Sequence, residues 1–349
     1  MRHLPRERAS ALARIAVLAA IAITTVTVTA CGGGGSSNAG TTGSNPSSAT
    51  ALEGGRSIAG KKVLFIHAND SGNVFDKPVI NGSDAAAALT GLKVETQFAN
   101  NDDAKLRSIF QSGLAEKVAG IVVSIPDASL NEPICAAIKA GIPVIAWNVN
   151  GTTGAGRNCL LAYIGQDETT RGDLLGNRMI QDKLIASGDK VFCPVEYPNS
   201  VYAAQRAAGV NRALQAVGAK CDVVGVGADQ AKARTTMAQY LLGHRDTNVV
   251  VSLGGTPNSV AVPAVEQSGL KDVQLGGFDL SQQIITGIES GKIHATVDQQ
   301  PYSQGFMAVT EMALYLKYGL FPSSIATGGT GLVDKSNVDI VKSLVPDYR

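Results

Sequence analysis

Hydrophobic and polar residues along this chain of 349 residues follow two periods in turn. Short runs of consecutive apolar residues are typical of strands buried on both faces, whereas an apolar residue at every third or fourth position is typical of a helix. The first pattern predicts strands at 62–68, 93–98, 120–125, 142–147, 161–164, 190–195, 222–226, 248–253, 273–278 and 293–297. The second pattern predicts helices at 79–90, 106–118, 130–140, 169–186, 202–217, 231–242, 260–269 and 280–290, and from 301 onward.

Strict alternation of strands and helices predicts an α/β fold with doubly wound parallel sheets. The alternation falls into two runs with a break near Gly165, and this break predicts two similar lobes. In such sheets the groups at the carboxyl ends of the strands face the ligand crevice. We therefore expect a ligand site between the two lobes.

Amides, carboxylates and aromatic rings gather in the loops that follow predicted strands. Each loop alone is explained by turn formation, which favours Asn, Asp and Gly. Their recurrence at one side of both sheets instead indicates a site for a hydroxyl-rich molecule, whose hydroxyls bond to amides and carboxylates while its C–H face packs on a ring. These loops begin at Asn69, Asn100, Pro126, Asn148, Gln166, Glu196 and Asp229.

The strongest of these signals lies between residues 273 and 304. One strand ends in Phe278-Asp279 after two glycines, and the next runs into Asp298-Gln299-Gln300 before Pro301. An aromatic ring with Asp, followed by Asp and Gln at a neighbouring strand end, suits the binding of a polyhydroxylated ligand. The alternative is that Asp279 serves only as the N-cap of the helix that follows it.

The first 30 residues have the pattern of an export signal. Four arginines precede an apolar segment at 15–28, which is too short to span a bilayer, and Val28-Thr29-Ala30 leads to Cys31 and a run of glycines. This junction resembles the lipobox of bacterial lipoproteins, in which the cysteine is lipidated and becomes the mature N-terminus. The alternative is an ordinary signal peptide with a chance cysteine. We expect Cys31 to anchor an exported protein on the outer face of the cytoplasmic membrane, with residues 31–60 as a flexible tether.

Composition narrows the classes of partner. The chain has 30 basic and 29 acidic residues, and leaving out the four Arg and one Glu of residues 1–30 gives 26 and 28. A near-neutral body argues against a nucleic-acid partner, which requires a basic surface. After the signal, no second segment is apolar enough to cross a membrane.

Besides Cys31 the chain has four cysteines, which an exported protein can oxidise in pairs. Cys193 and Cys221 lie on strands expected to be neighbours, so we favour this pair, and Cys135 with Cys159 remains by elimination. Four buried thiols are the open alternative. The sequence has no Cys/His spacing of a metal site, and we expect no metal or cofactor.

Motifs for catalysis are weak. Residues 55–62 and 151–158 each approach a phosphate-binding loop, but neither has the full motif, and both are followed by a predicted strand rather than a helix. Asp279 and Glu196 are a conceivable acid/base pair of a tethered glycosidase. We expect a protein without enzymatic activity.

Several stretches, taken together, resemble the ribose- and galactose-type periplasmic binding proteins of ABC importers, which have the type I periplasmic fold. The resemblance extends from about Lys61 to Val341. It is carried by Gly276–Asp279, Ala295–Pro301, Asn73–Phe75, Ile142–Ile145, Tyr163–Asp167 and Arg206–Gly209.

The resemblance implies two lobes joined by three crossings that close on a sugar like a hinge and deliver it to a permease. It places residues 61–166 and 300–328 in the first lobe, and 167–299 and 329–345 in the second. A monomer is expected. A sensor module for a receptor kinase is the alternative in another class, whereas a lac-repressor-type regulator lacks support because an export signal stands where its DNA-binding helices belong.

The resemblance also implies a set of ligand-binding residues. Asn73 and Phe75 match a first-loop amide and a stacking ring, and Arg206 matches a helix-borne arginine that grips oxygen atoms. The full set is Asn73, Phe75, Asn148, Gln166, Tyr197, Arg206, Asp279 and Gln299.

Three departures from the family pattern put ribose and galactose themselves in doubt and leave the carbohydrate class in place. Asp76 replaces a second aromatic residue, Asn148-Val149 replaces Asp-Arg, and Gly254-Gly255-Thr256 replaces an Asn. Trp147, Tyr197 and Tyr202 are the rings that can compensate for the missing contacts. The expected ligand is a sugar or a polyol.

Overall fold

The computed structural model describes residues 54–329 and 331–349. The predicted signal peptide, Cys31 and most of the tether lie outside the described residues. The described strands are β1 (Lys62–His67), β2 (Lys93–Phe98), β3 (Gly120–Ile125), β4 (Val144–Asn150), β5 (Ala162–Gly165), β6 (Lys190–Val195), β7 (Cys221–Gly225), β8 (Thr247–Ser252), β9 (Gln274–Phe278), β10 (Ala295–Val297), β11 (Ile325–Ala326) and β12 (Leu332–Asp334).

The helices surround these strands. They are α1 (Asp76–Thr90), α2 (Asp103–Ala115), α3 (Asn131–Lys139), α4 (Gly154–Cys159), α5 (Glu168–Gln181), α6 (Val201–Leu214), α7 (Gln230–Gly243), α8 (Gly255–Ser268), α9 (Gln282–Glu289), α10 (Pro301–Tyr318) and α11 (Val338–Val341). None of these described helices combines the length and apolar character needed to span a membrane.

The strands form two six-stranded sheets, and each belongs to one lobe. The first has the order β11-β5-β4-β3-β1-β2 and the second β12-β10-β9-β8-β6-β7. Pairing is parallel except between β10 and β12. The predicted α/β class with two doubly wound lobes is confirmed.

Burial on both faces explains why the strands read as continuous apolar runs. In β1, Val63 and Phe65 pack into a cluster with residues of α1 and α10, whereas Leu64 and Ile66 pack into another with α2 and α3. The second sheet is buried in the same way, since alternate residues of β6 enter separate clusters. Helices cover both faces of each sheet, so the edge formed by its strand ends remains for binding.

The chain passes between the sheets three times. The first crossing joins β5 to α5, the second joins β10 to α10, and the third joins β11 to β12. The crossings are hydrogen-bonded to one another: Gln166 Nε2 donates to the Asp298 carbonyl oxygen (3.2 Å), Asp298 N to Gly331 (3.2 Å), and Thr327 N to Gly165 (2.9 Å). The three crossings therefore form one hydrogen-bonded connection between the lobes.

Both cysteine pairs favoured from the sequence are joined. Cys193 and Cys221 connect the neighbouring strands β6 and β7, and Cys135 and Cys159 connect α3 to α4. The helix α4 was not predicted, because its six residues include too few apolar side chains to show a helical period. The segment 151–158 thus ends in a short helix rather than leading directly into a strand.

Candidate ligand-binding cleft

A cavity of about 380 Å³ lies where the carboxyl ends of the two sheets face each other. Residues of both lobes and of the second crossing line it, as expected for this topology. Its polar and aromatic lining includes Asn69, Asn73, Phe75, Asn101, Asp102, Asp103, Asp127, Asn148, Glu196, Tyr197, Asn199, Tyr202, Arg206, Gln230, Thr256, Ser259, Asp279, Ser281 and Gln299.

The loop after β1 supplies the amide and the ring expected from the sequence. Asn73 Oδ1 accepts the Phe75 backbone N–H (3.0 Å), which fixes the turn and leaves the amide nitrogen of Asn73 available. The next residue, Asp76, is buried, and its Oδ1 lies 3.1 Å from Nδ1 of the buried His67. Asp76 therefore holds the loop to the sheet instead of adding a second ring to the cleft.

An irregularity in β4 turns Asn148 toward the cleft. The pairing of β4 with β3 shifts register beyond Val123, and Asn148 has a left-handed backbone with φ of 57°. Asn tolerates this conformation better than most residues. Its side-chain amide donates to Gln299 Oε1 at 3.2 Å. A residue of the first lobe is thereby linked to the second crossing.

Gln299 continues this link to the second lobe. Its amide nitrogen donates a short hydrogen bond to Asp279 Oδ1, so Asn148, Gln299 and Asp279 form a chain of side chains across the floor of the cleft. Asp279 has φ of 69° and a side chain that is 14% exposed. The N-cap of α9 is Ser281, which accepts from Ile284 N, so the N-cap interpretation of Asp279 is wrong.

Arg206 is held more tightly than the sequence indicated. Its Nε and Nη2 donate to the two carboxylate oxygens of Glu168 at 2.7 and 3.1 Å, and Nη1 donates to the Leu253 carbonyl oxygen at 2.8 Å. Phe278 and Tyr202 cover its two sides, with ring centroids 4.3 and 5.0 Å from the guanidinium carbon. Both side chains of this ion pair, Arg206 and Glu168, are buried.

Arg206 and Asp279 belong to the same lobe and lie on the same wall of the cleft. Nη1 of Arg206 lies 3.7 Å from Asp279 Oδ2. Burial lowers the pKa of Arg206, but Glu168 and Asp279 outweigh it and raise that pKa further above its usual range. Both groups are therefore fixed to one wall before any ligand reaches them.

Glu196 occupies the wall beside them and compensates for the missing Asn after β8. Its Oε1 accepts the Thr256 backbone N–H at 2.8 Å, and its Oε2 accepts the Tyr202 hydroxyl at 3.0 Å. A Cβ on Gly254 would collide with this carboxylate, so the glycine is what admits Glu196. Where the family pattern has the amide of an Asn after β8, this chain therefore has the carboxylate of Glu196, which follows β6.

Of the other residues expected at the site, two tyrosines line the cavity, whereas Trp147 and Gln166 do not. Tyr197 lines the cavity and is 40% exposed, and Tyr202 lines it beside Glu196. Trp147 is 1% exposed and donates its indole N–H to the Ile66 carbonyl oxygen in the core, so it cannot supply a stacking face. Gln166 is buried in the crossing, away from the cavity lining, where it bonds to Asp298.

Sequence reasoning missed two features around the cleft. Glu168 gave no distinct signal because acidic residues are common in the first turn of any helix. The C-terminal residues also contact the second crossing and α1: Arg349 Nη1 donates to Asp298 Oδ2 at 2.7 Å, and Asp347 lies 2.7 Å from Lys77. Arg349 lines a second cavity of about 190 Å³, and Phe75, Asp279 and Gln299 line both this cavity and the ligand cleft.

Among residues 54–329 and 331–349, no group of three or more His, Cys, Asp or Glu side chains is arranged to hold a metal ion. The carboxylates of Asp102, Asp127, Glu196 and Asp279 accept hydrogen bonds from backbone, hydroxyl or amide groups. This arrangement suits the recognition of ligand hydroxyls.

Comparisons with known proteins agree with this geometry. Residues 64–320 match the family described as periplasmic binding protein domain. The chain is 27% identical over 294 residues to the xylose/arabinose-binding protein of Sulfolobus acidocaldarius, covering 79% of this chain and 72% of that protein. It is 26% identical over 251 residues to the ribose import binding protein of Bacillus subtilis, covering 71% and 79%.

Among solved structures, the chain is similar to a carbohydrate transporter from Acidothermus cellulolyticus in complex with myo-inositol. The TM-score is 0.73 at 30% sequence identity, and the match covers 82% of this chain and 98% of the other.

We predict that Glu196→Gln raises the melting temperature at neutral pH. Burial raises the pKa of Glu196 above its ordinary value of 4.5, Thr256 N–H opposes the shift, and Asp279 adds to it. The carboxyl of Glu196 therefore binds its proton more tightly in the folded state than in the unfolded state. The protonated carboxyl stabilises the fold fully below the ordinary pKa, and this stabilisation is lost as pH rises through the raised pKa. The advantage of Glu196→Gln over wild type should be larger near pH ~8 than near pH ~4.

Asp102→Asn is the matched control with the opposite sign. The backbone N–H groups of Lys105 and Ala104 lower the pKa of Asp102, so its carboxylate stabilises the fold above its ordinary pKa and loses that effect as pH falls. Thermal melts across pH test both variants. An advantage for Glu196→Gln that is equal at both pH values contradicts the prediction.

Proposed function

Because the chain belongs to the periplasmic binding protein domain family, we propose that it is an extracytoplasmic solute-binding protein that captures a sugar or polyol between its two lobes. The observation that carries the proposal is the chain Asn148–Gln299–Asp279, which places amides and a carboxylate from both lobes and from the second crossing on the floor of one cavity. Such groups donate to and accept from several hydroxyls at once.

The relatives support a small polyhydroxylated ligand. Their names refer to xylose, arabinose and ribose, and the Acidothermus protein was crystallised with myo-inositol. Here Phe75 of the first lobe and Tyr202 of the second line the same cavity, so aromatic faces are available on two sides. Pentoses and cyclitols are therefore the ligands that we would test first.

The architecture supports the proposal that the lobes close on the ligand. The two sheets are connected by three crossings that are bonded to one another, so one lobe can rotate about them while each core remains intact. Gln299 lies on a crossing and touches both lobes, which couples occupation of the cleft to the hinge. The closed form would then present both lobes to an ABC permease.

A glycosidase is the weaker alternative. Glu196 and Asp279 are both on the wall of the second lobe, and the carboxylate of Glu196 is already bonded to Thr256 and Tyr202. A glycosidase requires two carboxyl groups that flank the scissile bond. Binding without reaction is the function that this arrangement favours.

We predict that Asp279→Asn weakens sugar binding by about 10- to 100-fold, because a hydrogen bond to a charged group contributes about 1.5–3 kcal/mol. A pentose and cyclitol panel screened by thermal shift identifies the ligand, and titration calorimetry then compares the proteins. Asn keeps the acceptor for Gln299 and tolerates the backbone φ of 69°.

Asp272→Asn is the control for this variant. Asp272 precedes the same strand at its opposite end, is exposed and has a similar φ of 60°. It should bind like wild type. Equal affinities of wild type and Asp279→Asn would place the ligand elsewhere.

A saturating ligand is expected to make the protein more compact. Rotation of the lobes about the three crossings brings the cleft walls together, and small-angle X-ray scattering should then show a smaller radius of gyration. The same titration on Asp279→Asn requires a higher sugar concentration for the same change. Superimposable scattering curves with and without saturating ligand contradict closure.

The lipid anchor is also a proposal, since Cys31 lies outside the described residues. If its sulfur is lipidated, Cys31→Ala moves the exported protein from the detergent phase to the aqueous phase in detergent partitioning. Cys135→Ala, which removes a cysteine of the folded body, should leave partitioning unchanged. Aqueous partitioning of the wild-type protein would refute the anchor.

A further inference from the structure

The charge balance of the cleft gives Glu168 a role beyond structure. Among the described residues that line the cavity, Arg206 is the one with a cationic side chain. The same lining contains the carboxylates of Asp102, Asp103, Asp127, Glu196 and Asp279. Whether an anionic ligand can bind therefore depends on whether the charge of Arg206 is available to it.

Glu168 makes that charge unavailable. It is buried behind the cleft wall at the start of α5, outside the cavity lining, and receives two N–H groups of Arg206 in a bidentate pair. Leu253 takes a third N–H, so three of the five donors of the guanidinium are used within the protein. Nη1, which carries one of the two remaining N–H groups, lies 3.7 Å from Asp279 Oδ2.

The pairing is built into the packing of two helices. A Cβ on Gly209 of α6 would collide with the Thr169 carbonyl of α5, so only glycine permits the contact that brings Glu168 and Arg206 together. A buried arginine without a partner is costly, which makes the pair permanent rather than a response to ligand. The wall of the second lobe thus presents hydrogen-bond donors without a net positive charge.

Resting on the proposed function, we propose that Glu168 determines the charge class of the ligand. By neutralising Arg206 it restricts the cleft to uncharged sugars and polyols and excludes those that carry a carboxylate or phosphate group. Glu168 is a positioning residue, because it acts through Arg206 and does not line the cavity.

The experiment compares matched neutral and anionic probes. Titration calorimetry is performed with D-ribose against D-ribose 5-phosphate, D-galactose against D-galacturonate, and myo-inositol against myo-inositol 1-phosphate. In wild type we expect each anion to bind at least tenfold more weakly than its neutral partner. In Glu168→Gln the ratio should shift by about tenfold or more toward the anion, because Glu168 then no longer neutralises the guanidinium.

Asp167→Asn is the control for a general change of charge. Asp167 precedes Glu168, caps the same helix through Thr170 N and makes no contact with Arg206, and Asn also caps helices. It should leave the ratio as in wild type. The double variant Glu168→Gln with Arg206→Gln should lose the gain for anions, which assigns that gain to the guanidinium.

The outcomes separate this inference from the proposed function. A wild-type protein that binds an anion as tightly as its neutral partner overturns the role of Glu168, and so does an unchanged ratio in Glu168→Gln or an equal shift in Asp167→Asn. If no neutral or anionic probe binds, the proposed function fails and the inference with it. Should Glu168→Gln not fold, as judged by circular dichroism, Glu168→Met makes the same change of charge with similar volume.

Discussion

A guanidinium buried in a protein must be paired, and the partners of Arg206 organise the whole wall of the second lobe. Arg206 is 3% exposed and contacts Glu168 at the start of α5, the Leu253 carbonyl after β8, and Asp279 after β9. Removing any of these partners would leave a charge or a polar group buried without compensation. The need to pair the guanidinium therefore holds together the start of α5 and the ends of β8 and β9, which are distant in sequence.

The three crossings between the lobes depend on a second set of buried polar groups. Gln166, Asp298 and Thr327 join the three crossings, and Asp298 also receives Arg349 from the C-terminal end of the chain. Burial raises the pKa of Asp298, whereas Arg349 and Gln300 N–H oppose that shift. The three crossings are thus held together by hydrogen bonds rather than by an apolar core, so the bending that the proposed closure requires need not expose hydrophobic surface.

The fold was accessible from sequence because strands buried on both faces and helices with one apolar face leave a clear local pattern. Asp279 and Gln299 were also accessible, since each follows a strand of that pattern. Contacts between residues that are far apart in the sequence could not be predicted from it. Glu168 reads as an ordinary helix-start acid until Arg206 is brought to it. Trp147 appeared to be available for stacking, but burial on the inner face of β4 removes it from the cleft.

The two walls of the cleft differ in how far they are organised in advance. On the second lobe, Glu196, Arg206 and Asp279 are bonded to Thr256, Tyr202, Glu168 and Gln299, so little side-chain entropy remains to be lost on binding. On the first lobe, Asn73 uses only its oxygen, in a local turn, and Asn148 only bonds to Gln299 through its amide nitrogen. The amide nitrogen of Asn73 and the carbonyl oxygen of the Asn148 side chain remain to meet a ligand. A rigid wall and an adaptable wall would allow one fold to keep the proposed charge selection while the shape of the neutral molecule that it binds varies.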